Sequence, residues 1–557
     1  MKNSLYLRSF RTLTLAVLGL YVVVQSHSAL AYDPVTSVKN SLGKMKVGPK
    51  DWPQWGGTPD RNNTPVDAKI PASWDVKQGT NILWSAALGS ESYGNPVVAN
   101  GKVYVGTNNG KGYLTRYPSN IDLGVLVCFD EKDGKFLWQH SSEKLATGRV
   151  NDWPDQGICC APMIDGERGW FVTSRGEVVC FDTEGFRDKE NDGPFKQEAF
   201  ENDEEADVIW KLDMMKDLKV FQHNMCSCSV TSAGDFLFVN TSNGVDEGHI
   251  AIPEEKSPSF ICLNRDTGAV LWTDNSPGSN ILHGQWSSPA YGVFGGQAQV
   301  LFGGGDGWLY SFDPAGDNGK SKLLWKFDCN PKNSFYTLIG ATRNHLIATP
   351  VVYDGLVYIA VGEDPEHGEG HGHLWCIDPT KRGDVSPTIV YNSANPQVPI
   401  AHKRLQALVE KDGDLERDNP NSAAVWHYVG NNPKDFEQAM HRTCGTASIK
   451  NDMLVLADFA GLVHCLDVKT GNAFWTYDML AASWASALIV GDLIYVSDED
   501  GDISIFKLAK EFEMVGEINM GSSVYTTPIV ANDTLFIANR NRIYAIKEGA
   551  TSAPEKE

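Results

Sequence analysis

Val127-Cys128-Phe129-Asp130-Glu131-Lys132-Asp133-Gly134-Lys135-Phe136-Leu137-Trp138 is the stretch whose reading decides the fold. It reads as a short hydrophobic strand, an acidic turn ending in glycine, and a second strand that carries a tryptophan. The phrase returns as Val179-Cys180-Phe181-Asp182 with Trp210, and as Ile261-Cys262-Leu263-Asn264 with Thr267-Gly268 and Trp272. It returns again as Tyr310-Ser311-Phe312-Asp313 with Trp325, as Trp375-Cys376-Ile377-Asp378 with Trp426, and as His464-Cys465-Leu466-Asp467 with Thr470-Gly471 and Trp475. Degenerate copies occupy residues 487–506 and 528–546. Ahead of each copy stands a hydrophobic phrase such as Pro96-Val97-Val98, Pro162-Met163-Ile164 or Pro350-Val351-Val352.

Each copy reads as four short strands, with turns such as Asn100-Gly101, Asp165-Gly166, Asp354-Gly355 and Gly491-Asp492. A lone four-stranded sheet leaves apolar faces and strand edges exposed, so repeats of this kind must pack around a ring. The last copy ends without its tryptophan strand, and Asn81-Ile82-Leu83-Trp84-Ser85 supplies one at the other end of the chain. The expected fold is therefore all-β, an eight-bladed propeller over residues 80–547 closed by an N-terminal strand. Residues 32–79 are expected to wrap the ring, insertions at 183–206 and 379–424 to decorate its far face, and 548–557 to form a disordered tail. Within the second insertion, residues 401–411 are expected to be helical.

Lys2, Arg8 and Arg11 precede an apolar run over 13–24 and then Ser28-Ala29-Leu30-Ala31, the pattern of a secretory signal peptide occupying 1–31. The run is short for a membrane span, so the mature chain is expected to be exported, periplasmic or secreted, without a span. The 557 residues carry a net charge of −22, which argues against nucleic acid and anionic membranes as partners. Of the 11 cysteines, five (Cys128, Cys180, Cys262, Cys376, Cys465) share one repeat slot and read as buried structural thiols. Cys159, Cys160, Cys226, Cys228, Cys329 and Cys444 are the disulfide candidates of an exported chain.

In a propeller, the start of each first strand and the loop after each second strand share one face. Cys159, Cys160, Cys226, His283, Arg343, His345 and Asn243 fall in that phase and are expected to gather at one mouth, with Trp286 a candidate to plug it. His223, His441, Arg442 and Cys444 fall in the same zone. The loop Glu366-His367-Gly368-Glu369-Gly370-His371-Gly372-His373 offers three histidines among carboxylates, a candidate for Zn²⁺, Cu²⁺ or a similar transition metal.

The repeat resembles the tryptophan-docking repeat of the pyrroloquinoline quinone (PQQ) propellers over roughly residues 52–547. That family includes quinoprotein dehydrogenases and a scaffold of outer-membrane assembly, so the resemblance specifies fold more closely than function. It implies PQQ and Ca²⁺ as possible cofactors. In the alcohol dehydrogenases a disulfide between neighbouring cysteines packs on the quinone, and Cys159-Cys160 is similar. Pairing of Cys159 or Cys160 with Cys226, which holds the same slot in the next blade, competes with it and is chemically easier. Asn240-Thr241-Ser242-Asn243-Gly244 resembles their Ca²⁺-binding turn, which makes Asn243 a candidate ligand, with Asp246 and Glu247 nearby. The chain departs where those enzymes place a catalytic aspartate: His283-Gly284-Gln285-Trp286-Ser287 has no carboxylate to serve as base. There is no Cys-x-x-Cys-His haem motif. The expected role is binding of a small molecule or a protein partner, with a PQQ- and Ca²⁺-dependent oxidoreductase as the alternative.

Overall fold

The computed structural model of the protein describes residues 33–337, 340–363 and 365–553. The expected signal peptide and residues 554–557 lie outside them. Among the described residues the strands form seven four-stranded sheets, one five-stranded sheet and one three-stranded sheet. The first is an antiparallel meander of Val97–Ala99, Lys102–Asn108, Leu123–Asp130 and Phe136–Glu143. Its pattern repeats with first strands that begin at Met163, Thr231, Ala290, Val351, Ser448, Leu488 and Ile529.

The tryptophans explain the repeat. Across the third and fourth strands, Cys128 faces Trp138, Cys180 faces Trp210, Cys262 faces Trp272, Ser311 faces Trp325, Cys376 faces Trp426 and Cys465 faces Trp475. The slot accepts only small side chains beside an indole, and its five thiols are fully buried. Most of these indoles then dock on the next sheet. The ring N–H donates to a carbonyl after that sheet's third strand: Trp138 to Thr183 at 3.2 Å, Trp210 to Arg265 at 3.2 Å, Trp272 to Pro314 at 2.9 Å and Trp426 to Val468 at 2.9 Å. Trp325 departs from this, donating to Gln299 Oε1 within its own sheet. The turn glycine follows from the docking: at Gly134 a Cβ would lie 2.5 Å from Trp84, and the backbone is left-handed there, at φ +70°.

The last sheet combines both ends of the chain. Thr80–Ala87 pairs antiparallel with Arg542–Thr551, setting Trp84 against Ala545, and Trp84 donates to Glu131 O of the first sheet at 2.8 Å. The pairing continues to Thr80 opposite Thr551, so residues 548–551, expected as disordered tail, belong to a strand.

Residues 50–63 belong to the segment expected to wrap the ring. They pass along the first strands of all eight sheets in turn. Lys50 O accepts from Asn532, Trp52 exchanges two bonds with Val98, and Pro53 O accepts from Ile164. Gln54 Oε1 accepts from Thr231, Pro59 O from Tyr291 and Asp60 O from Val352. The Asn62 side chain brackets Ile449, and Asn63 O accepts from Ile489. At the centre the fully buried Arg61 donates to four carbonyls, those of Trp55, Ser229, Val230 and Pro289, at 2.7–3.1 Å. Burial lowers its pKa to about 9.

The second insertion, residues 379–424, departs from expectation. Residues 401–411 form no α-helix, and only a 3-10 turn over Glu410–Asp412 touches their end. Tyr336 N donates to Leu405 O at 2.7 Å and Leu408 N to Lys332 O at 2.9 Å, so pairing with 332–336 overrides local helix propensity. Around this segment Thr388–Asn392, Asn395–Pro399 and Asp414–Asp418 form the three-stranded sheet. Arg404 donates to Ile250 O and Ile281 O at 2.7 Å, which brings this insertion to the histidine side of the molecule rather than the far face.

Candidate functional site

Four residues before each first strand stands a side chain of one set: Tyr93, Cys159, Ser227, Trp286, Ile347, Cys444, Trp484 and Tyr525. Seven of these line a single open cup of about 310 Å³, together with Trp153, Gln156, Asn224, Met225 and Glu366. Tyr525, the eighth, stacks on Tyr93 with ring centroids 4.8 Å apart. The wall is aromatic and sulfurous. Cys159 Sγ lies 3.4 Å from Met225 Sδ, and burial pushes the Cys159 thiol up to about 12, so it stays protonated and is no nucleophile at neutral pH. At the rim Arg149 stacks on Trp153 at 4.3 Å and sits 4.0 Å from Glu366.

Trp286 forms the partition between the cup and a nest of histidines. Its indole N–H reaches the carbonyls of His223 and Met225, and its ring lies 5.3 Å from that of His283 and 5.6 Å from that of His345. It therefore walls the cup rather than filling it. Behind it, a ring nitrogen from each of His223, His249 and His283 lies within 4.8 Å of the other two. His367 approaches His283 at 5.0 Å between centroids, and His345 approaches it at 5.6 Å. The shared repeat phase pointed to His223, His283 and His345, and these converge. His249 escaped the sequence reading, although it sits in the loop after a second strand, the same kind of loop that supplies His367.

The other candidates are placed differently. In the His-rich loop only His367 faces the nest. His371 is exposed against Phe436, and the buried His373 meets His427 at 3.1 Å. Burial, with His427 and His371 adding to it, lowers His373 to about 3. The three therefore do not form one chelate. Arg442 pins the loop by donating to the carbonyls of His367, Gly368 and Ala341, and it forms an ion pair with Glu363, which in turn lies 3.6 Å from His345 Nδ1. Asn243 is fully buried and spent on the backbone, accepting from Phe221 N at 2.9 Å and donating to Glu254 O at 3.0 Å. Asp246 caps its own turn, accepting from Ile250 N and Ala251 N. Arg343 is buried in an ion pair with Asp328, also held by Lys332. Burial opposes ionisation of Asp328, yet these two cations hold it at about 2.

Nor do the cysteines pair. No disulfide joins any two of the eleven. Cys159 faces Met225 in the cup, whereas Cys160 turns inward toward Val172 O at 3.1 Å, and Cys226 lies beside Ser242 Oγ at 3.3 Å. Deeper on the same side, Asp458 accepts from His441 and His464 at 3.1 and 3.0 Å, and His464 meets Tyr428. Burial would raise Asp458, but the two histidines hold it at about 2, and Asp458 raises His441 despite burial of that ring.

PQQ does not suit these residues. The quinone carries three carboxylates, whereas among the described residues the one charged side chain lining the cup is Glu366, and Arg343 and Asn243, expected at the ligand-binding mouth, are engaged elsewhere. A family described as outer membrane protein assembly factor BamB matches residues 261–552, slightly more than half of the chain. The chain belongs to the PQQ-repeat propeller family. Among solved structures it is similar to BamB from Moraxella catarrhalis, at 14% identity and a TM-score of 0.47, covering 84% of this chain and 97% of that one. It is also similar to the quinohemoprotein alcohol dehydrogenase of Comamonas testosteroni, at 12% identity and 0.45, covering 94% and 85%. A europium-containing methanol dehydrogenase gives 12% and 0.45, covering 90% and 92%. None of the curated proteins matches the sequence.

Proposed function

We propose that the eight repeated sheets are the blades of one ring, closed by Thr80–Ala87, and that this exported propeller is a ligand-binding module. One mouth is packed by residues 50–63, and the other is the aromatic cup, which receives an apolar group. The observation that carries this reading is the cup itself: seven sheets contribute the residue four before their first strand to one wall, and most of that wall is aromatic, aliphatic or sulfur. Such walls favour flat apolar ligands through burial and ring stacking. A protein partner that inserts an apolar side chain would use the same wall.

The test is titration with the apolar dye 1-anilinonaphthalene-8-sulfonate, followed by dye fluorescence and tryptophan quenching. One dye per chain is expected, with binding lost in Trp286→Ala and Trp484→Ala and kept in Val515→Ser on an outer strand. Equal binding by all four proteins defeats the reading. The oxidoreductase alternative is tested by adding PQQ and Ca²⁺ and following dye reduction with alcohols. No turnover is expected, because no carboxylate stands ready as base among the residues lining the cup except the rim-placed Glu366.

A further inference from the structure

We propose that His223, His249 and His283 hold one borderline divalent transition-metal ion, of the class that Cu²⁺ and Zn²⁺ represent. This goes beyond the cup, which lies on the other side of Trp286. The three rings come from separate places, two from the approaches to first strands and one from the loop after a second strand, yet one nitrogen of each lies within 4.8 Å of the others. Metal–imidazole bonds of about 2.0–2.1 Å place ligand nitrogens at most about 4 Å apart, so a movement of about 1 Å by one ring closes the set.

The surroundings fix the rings as a ligand shell requires. His223 Nδ1 lies 2.9 Å from Val245 O, so Nδ1 carries the proton and Nε2 presents its lone pair. His249 stands at φ +56°, a left-handed conformation that non-glycine residues rarely adopt, in a turn tied by Asp246. A Cβ at Gly244 would meet His223 Cβ at 2.6 Å and His283 O at 2.8 Å, so glycine is what lets these two segments approach. Arg404 then clamps the carbonyls of Ile250 and Ile281, next to His249 and two residues from His283. Three imidazoles without a thiolate suit copper or zinc better than calcium or magnesium.

The full-length protein, stripped with a chelator, is titrated with Cu²⁺ and Zn²⁺ by calorimetry and thermal melting, and the copper form is examined by electron paramagnetic resonance. One ion per chain is expected, with nitrogen superhyperfine splitting and a raised melting temperature. His249→Ala, which alters a half-buried turn, should abolish this site. Arg404→Ala, which removes only the clamp, should weaken it about 10- to 100-fold. His371→Ala should leave it intact. Dye binding in the cup by His249→Ala shows that the variant is folded, and keeps failure of the metal site separate from failure of the ligand reading. The proposal is overturned if the wild type takes up no ion in a nitrogen-rich environment, or if His249→Ala binds as tightly as the wild type.

Discussion

The two ends of the first strands are built from the same repeat and finished in opposite ways. At one end, residues 50–63 meet every sheet, largely through main-chain bonds and the carbonyl-bound Arg61. At the other, the corresponding positions are left to side chains, and the eight sheets supply five residue types there. Main-chain pairing tolerates almost any side chain and leaves buried polar groups satisfied, which makes a seal. A wall of indoles, phenols and sulfur spends its few polar atoms on neighbouring protein groups, as the Trp286 N–H does on His223 O and Met225 O, and offers its apolar surface to whatever enters. The position held constant by backbone geometry is the seal, and the position varied from sheet to sheet is the cup.

The sharpest way to break this contrast is Arg61→Met. It strands four buried carbonyls, and hydrogen bonds to charged groups contribute about 1.5–3 kcal/mol each. A loss of more than about 4 kcal/mol is expected in denaturant unfolding, with dye binding at the remaining folded population unchanged. Next comes Asp458→Asn, which breaks the buried contacts with His441 and His464 and should cost about 3–5 kcal/mol.

The same pair gives the open side a pH dependence. Asp458 is depressed to about 2, so its contribution is present above the ordinary carboxylate value of 3.8 and is lost as pH falls toward 2. His441 is raised, so its contribution is present below its ordinary 6.5 and is lost as pH rises through the raised value. The stability gap between wild type and Asp458→Asn should thus peak between pH 3.8 and 6.5 and shrink on either side. The smallest effect is expected from Trp484→Ala, a partly exposed wall residue: about 1 kcal/mol in stability, against complete loss of dye binding. A stability loss there as large as that of Arg61→Met would show that the cup is structural packing.

The sheets were legible in the sequence because one physical contact, an indole lying on a turn glycine beside a small buried residue, imposes a fixed spacing each time it recurs. Trp138 opposite Cys128 announces it, and Trp84, from the far end of the chain, lies on the turn glycine Gly134. The phase of the repeat also brought His223, His283, His345 and Cys159 to one side. What it could not give was side-chain direction. Cys159 and Cys160 are neighbours, yet one faces the cup and the other Val172. Asn243 matched a ligand motif, but both ends of its amide are taken by backbone groups, which no local pattern records. His249 was missed because its place depends on a turn held from afar by Arg404. The helix expected at 401–411 failed for a similar reason, since the segment it bonds to lies some seventy residues earlier, at 332–336.

The span of residues 50–63 has a consequence for how the chain is made. This segment emerges from the ribosome early, but its bonds run to every first strand as far as Asn532, and Thr80–Ala87 waits for Arg542–Thr551. At about 5–20 residues per second, on the order of 30–100 s pass before the last partners exist. Through that interval Trp52, Trp55 and Trp84 have no complete home. Such long-range closure makes folding slow and late. The nascent chain must therefore be shielded until its tail arrives, and a truncation of only the final strand should leave the earliest-made segment, at the opposite terminus, the first to be cut by protease.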